Sequence, residues 1–155
     1  MPEFQFVDVE EIPYFYQERS CGTAPEDINA AMGEAFQAVW DFLLASGVQT
    51  TGKALSVYYT YDPGKMTFRA GFSVDADARK KAKEPVRYDV TPAGRVLHFR
   101  HTGPYSKLRD SYGRMMAYME QEGLKIGAPT WEVYLNDPSK TPEDELLTDV
   151  FVSIA

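Results

Sequence analysis

Apolar residues recur along this chain with two periods, and the period changes several times. Phe4 and Phe6 alternate with polar neighbours up to Val9; Glu10-Glu11 and Pro13 intervene, and residues 12–19 form a second extended, aromatic run. Proline cannot donate to a ladder, so the pattern predicts one long strand, bent or broken near Pro13. Ile28, Met32, Ala35, Phe36, Val39, Trp40 and Leu43 then fall three and four apart, the spacing of one helical stripe. The predicted helix covers 25–46. Thr23 or a neighbour caps it, Pro25 sits near its first turn, Glu26 and Asp27 meet its positive end, and Gly47 stops it. A hairpin follows: strands at 55–61 and 66–74 around the turn Asp62-Pro63-Gly64-Lys65.

The second half repeats the scheme. Strands are predicted at 86–90 and 95–101, around the turn Thr91-Pro92-Ala93-Gly94. Pro104 opens a helix whose stripe is Tyr105, Leu108, Tyr112, Met115, Met116 and Met119, and Gly123 ends it. Strands at 130–135 and 148–155 flank an acidic loop at 136–145. The segments starting at Phe42 and Tyr118 align without a gap, Gly47 on Gly123, Leu55 on Trp131, Val57 on Val133 and Tyr58 on Tyr134. The match reaches back through the helices, Phe36 to Tyr112 and Trp40 to Met116, and forward to Asp62-Pro63 against Asp137-Pro138. Phe72-Ser73-Val74 answers Val152-Ser153-Ile154. The expected fold is α+β: one domain over 1–155 made of two β-α-β-β repeats, about 1–75 and 86–155, with 76–85 as linker. Both helices would cover one face of a pseudo-twofold antiparallel sheet, leaving a ligand cleft on the other.

Glu132 breaks this repeat, because its counterpart is Ser56. Strands are poor places for glutamate. Two readings stand: a solvated carboxylate on a wet face, or one set in an aromatic concavity to meet a cation or a water. Tyr58 and Tyr134 are repeat-related and point to the side of Glu132 by the alternation of a strand. Phe151 is expected in the cleft as well, with Val150, Val152 and Ile154 toward the helices. His98, between Leu97 and Phe99, points away from them, either to the groove or to a satisfied surface position.

Composition narrows the classes. The chain has 155 residues, a net charge of −7, ten Tyr and nine Phe. The acidic balance argues against a phosphate-binding surface, and Arg79-Lys80-Lys81-Ala82-Lys83, followed by Glu84-Pro85, reads as a solvated linker. The single cysteine, Cys21, excludes an internal disulfide. Two histidines, His98 and His101, without an HxxxH spacing give no basis for zinc. No metal and no cofactor are expected. Neither a GxSxG context nor a P-loop is present. The opening MPEFQFVDVEEIP lacks a signal peptide's basic and apolar regions, and no stretch approaches the roughly 20 apolar residues of a span. The expectations are a cytoplasmic location, no membrane contact, and a monomer or weak homodimer.

The order of His101-Thr102-Gly103-Pro104-Tyr105, then 131–138 (WEVYLNDP), then 148–154 (TDVFVSI) resembles the GyrI-like small-molecule-binding family. That family also supplies the effector-binding half of AraC-type and MerR-type regulators. The resemblance covers essentially the whole chain. It implies a duplicated fold with an aromatic cleft, and a buried glutamate on the penultimate strand facing cationic or polar aromatic ligands, which maps to Glu132. About twenty residues precede the first helix, too few for a DNA-binding domain, so a stand-alone form without direct nucleic-acid contact is expected. Together with the residues placed by alternation and by the repeat, the expected ligand set is Glu132, Tyr58, Tyr134, Phe151, Ser56 and His98. Some relatives hydrolyse cyclopropane-bearing genotoxins, and for that alternative Glu132, Tyr58 and Tyr134 would be the catalytic groups. Others are said to inhibit DNA gyrase, a third reading.

Overall fold

A computed structural model of the chain describes residues 3–62 and 64–155. Pro63, in the predicted hairpin turn and matched to Pro138 by the repeat, lies outside them. The strands are β1 (Gln5–Val9), β2 (Pro13–Cys21), β3 (Thr50–Asp62), β4 (Lys65–Val74), β5 (Arg87–Val90), β6 (Gly94–Thr102), β7 (Ile126–Tyr134) and β8 (Leu147–Ile154); the helices are α1 (Pro25–Ser46) and α2 (Leu108–Gln121). Ala24, not Thr23, caps α1, and no side chain takes part. Gly47 ends α1 in the left-handed region at φ 71°, where a side chain would be strained. A 3-10 turn, Tyr105–Lys107, leads into α2, so the first residue of the predicted stripe precedes the regular helix.

All eight strands form one antiparallel sheet in the order β1-β6-β8-β7-β3-β4-β2-β5. Exchanging β3 with β7, β4 with β8, β2 with β6 and β1 with β5 reverses the order and leaves it unchanged. At the centre Leu55 pairs with Val133, Ser56 with Glu132 and Val57 with Trp131. Ser56 and Glu132 are repeat-equivalent and also cross-strand partners, so the pseudo-twofold axis passes between them.

The outer strands interlock the halves. β1 belongs to the first repeat in sequence but pairs with β6, while β5 pairs with β2. One register runs from Gln5↔His98 to Tyr16↔Arg87. Across the break at 10–12, the Ile12 N–H donates to Thr91 Oγ1 at 2.8 Å and the Thr91 N–H to the Ile12 carbonyl at 3.0 Å. The long strand expected near the start therefore exists, but its two parts serve opposite halves, and the sheet is brought back on itself.

Both helices lie on one face, as the repeat requires. Directly opposite residues of a ladder share a face. Ala70, opposite Ser56, belongs with Phe68, Ala35 and Met66 to a cluster that takes in Met32 and Phe36 of α1. Val150, opposite Glu132, packs with Val152, Leu97, Phe99, Met115 and Met119 under α2. Burying each of the Val, Leu, Phe and Met side chains among these contributes about 1.5–3 kcal/mol. The other face was expected to be open. It instead holds Tyr14, Tyr16, Leu55, Val57, Val96, Trp131 and Val133 as a second core layer, with Val7, Val9, Ile12 and Phe151 against it. The linker is only partly solvated: Ala78, in a 3-10 turn, joins Phe15, Val39, Leu43 and Val86 in the core, while its basic residues stay exposed.

Candidate functional site

Glu132 sits at the middle of β7 with Ser56 and Val150 as its cross-strand neighbours, so it faces the helices. This corrects the side assigned from sequence. The residues expected in the cleft, Glu132, Ser56, Tyr58 and Tyr134, stand between α1 and α2, not on the face away from them. The side chain is buried, with the residue 5% exposed, and it enters no ion pair among the described residues.

Phenols take the place of a counter-ion. The Tyr112 hydroxyl, from α2, donates to Oε2 at 2.6 Å. The Tyr134 hydroxyl stands 2.7 Å from Oε1. Tyr134 Oη is in turn 2.7 Å from Ser56 Oγ, which donates to the Tyr58 hydroxyl at 3.2 Å. Burial pushes the Glu132 carboxyl above the usual carboxylate range, against the opposing pull of the Tyr112 and Tyr134 hydroxyls and of His101. Burial, reinforced by the Glu132 charge, also holds the Tyr58, Tyr112 and Tyr134 phenols well above their ordinary value.

Rings wall the site. Phe36 of α1 meets Tyr134 edge-on at 6.1 Å, and Tyr105, from the turn before α2, meets it at 5.4 Å. His101 is buried beside this cluster. Its Nε2 lies 3.0 Å from the Pro104 carbonyl and must donate, and its Nδ1 is 2.8 Å from Ser111 Oγ. Thr148, the cross-strand neighbour of both His101 and Tyr134, is fully buried, and its hydroxyl has no hydrogen-bond partner among the described residues.

Two expected residues are elsewhere. Phe151 is opposite Trp131, not Glu132, and stacks on that indole at 5.4 Å and 18° in the second core layer. His98 lies over Phe151 at 4.9 Å, with Nε2 3.0 Å from Asp149. Register is the reason: Val150 and Val152 do face the helices, and that same parity puts Glu132 with them. Tyr112, Tyr105 and Phe36 were missed as site residues. The repeat did carry a signal, because Tyr112 falls on Phe36. The second copy gains a phenol on its helix where it gains a carboxylate on its strand.

Comparison with known proteins places this geometry in a family. The family description "GyrI-like small molecule binding domain" matches residues 2–155. DNA gyrase inhibitor 2 of Dickeya dadantii (strain 3937) is 35% identical over 66 residues, which are 42% of this chain and 41% of that protein. Three solved structures share the fold at low identity. The EcmrR C-terminal domain superposes with a TM-score of 0.81 at 16% identity, over 98% of this chain and 96% of that one. SAV2435, solved bound to tetraphenylphosphonium, gives 0.68 at 13%, over 99% and 94%. A chain from Listeria innocua described as a hydrolase gives 0.62 at 17%, over 99% and 92%. At such identities the likeness is one of fold. The match over residues 2–155 shows that the chain belongs to the GyrI-like small molecule binding domain family.

Proposed function

We propose that this protein binds small organic cations, flat aromatic ones above all, between its two helices at Glu132. The observation that carries the reading is a buried carboxyl group whose hydrogen-bond partners among the described residues are phenols, surrounded by Tyr58, Tyr105, Tyr112, Tyr134 and Phe36. A charge so placed is costly without a counter-ion, and ring faces add about 0.5–2 kcal/mol each for a desolvated cation. Phe36 and Tyr105 lie on Tyr134, so entry requires them to swing aside. The orphan hydroxyl of Thr148 supports a ligand that also carries a hydrogen-bond acceptor. The likeness to SAV2435, a protein solved with a lipophilic cation, adds to this. Fluorescence titration with cationic dyes and with tetraphenylphosphonium is expected to give micromolar affinity, weakened on the order of 10- to 100-fold in Glu132→Gln. Affinity unchanged in that variant would remove Glu132 from the site.

A second reading is hydrolysis of a strained electrophile, with Glu132 activating water and Tyr134 or Tyr58 bonding the substrate carbonyl. The 2.7 Å approach of Tyr134 to the carboxylate and the description of the Listeria innocua neighbour favour keeping it. Product that never exceeds one equivalent of protein from a cyclopropane-bearing alkylator ends it.

A further inference from the structure

Glu132 Oε1, Tyr134 Oη, Ser56 Oγ and Tyr58 Oη stand in a row at successive separations of 2.7, 2.7 and 3.2 Å. Each hydroxyl has one hydrogen to give. Ser56 donates to Tyr58 and Tyr134 donates to Glu132 Oε1, so no hydrogen remains for the 2.7 Å contact between Ser56 and Tyr134. A hydrogen on the carboxyl supplies one: the acid donates to Tyr134, and Tyr134 is freed to donate to Ser56. With the carboxyl ionised, Tyr134 donates to it, Ser56 donates to Tyr134, and the longest link is lost. The groups facing Glu132 form no ion pair with it among the described residues. They are Tyr112 from α2, Tyr134 beside it on β7, Ser56 and Tyr58 from β3, Val150 and Thr148 from β8, His101 from β6, and Phe36 from α1. His101 Nε2 donates to the Pro104 carbonyl and its Nδ1 meets the Ser111 hydroxyl.

We infer that the resting protein holds Glu132 as the neutral acid and takes up a cation in exchange for its proton, Tyr134 and Ser56 then turning their hydrogens toward Glu132. The exchange balances: one positive charge enters, one proton leaves to the buffer, and the net charge of the site does not change. It also sets a substrate class, because a permanent cation can drive the exchange and a neutral molecule of the same shape cannot. The exchange rests on the cation reading proposed above, whereas the neutral acid of the resting protein does not.

Two measurements separate them. The infrared difference spectrum of wild type minus Glu132→Gln at neutral pH is expected to show the C=O stretch of a protonated carboxyl. Tetraphenylphosphonium should abolish that band. Calorimetric titration with tetraphenylphosphonium, in two buffers of different protonation enthalpy, should give close to one proton released per cation. Affinity should rise about tenfold per pH unit while the acid is protonated. Ser56→Ala, which removes the acceptor for Tyr134 without touching the carboxyl, should weaken the band and lower the proton count. Absence of the band from the wild type, or binding that releases no proton, overturns the inference. Failure of tetraphenylphosphonium to bind defeats the cation reading, and the band still decides the state of the acid.

Discussion

A carboxyl group between two phenols and out of water makes folding depend on pH in a direction opposite to that of most acids. The Glu132 carboxyl is raised above the 4.5 of a free glutamate side chain. Its share of stability is therefore complete below that value and is lost as pH rises through the folded-state value. Glu132→Gln, which cannot ionise, should gain stability relative to wild type as pH is raised from about 4.5 to 8, visible as converging then crossing denaturant midpoints. A gap that widens in favour of wild type at high pH would contradict this. Tyr112→Phe removes a donor 2.6 Å from Oε2. It should raise the titration of Glu132 further and cost about 1–3 kcal/mol at high pH, where the charge is left short of a partner. Thr148→Val keeps the shape and removes an unpartnered buried hydroxyl. It should leave the fold unharmed or stabilise it by about 1–2 kcal/mol in chemical denaturation.

Among the elements, β7 shows how far the sequence could be read. Its alternation marked it as a strand, and the repeat marked Glu132 as the odd residue. What alternation within one strand could not say is which side is which, since residues 129–133 are buried without interruption. A strand covered on both faces loses the polar-out signal that identifies solvent. Deciding the side needs the pairing of Glu132 with Val150, a contact between distant parts of the chain. Tyr112 was hidden differently, because a phenol in a helical stripe reads as core until its hydroxyl finds a carboxylate. The helix boundaries of α1 were legible because Pro25 and Gly47 act locally. Another element-scale constraint sits in β4. A Cβ on Gly71 would lie 1.7 Å from the Phe15 carbonyl oxygen, on the backbone of β2. Gly71→Ala should cost more than about 3 kcal/mol or prevent folding, because neither strand has a side chain that could yield; a near-normal melting temperature would show that β2 and β4 can separate there.

At the scale of the whole molecule, the crossing of β1 to β6 and of β5 to β2 makes each half depend on the other. Residues 1–75 expressed alone lack the strands that pair with β1 and flank β2, and β3 loses β7. Such a fragment should be unfolded by circular dichroism and recover structure only on mixing with residues 76–155. A cooperative transition from either half alone would count against this. The central pairing has a further meaning. A dimer of identical chains must present the same residue from both sides of its axis, so the place held by Ser56 and Glu132 would carry two carboxylates or none. Two acids in contact share one proton between them, so such a pair spreads one charge over two carboxyl groups. Joining both copies in one polypeptide lifts that parity, and an odd number of carboxyl groups on the axis becomes attainable. The single acid of this protein is thus something that covalent fusion permits and that symmetric assembly, however stable, forbids.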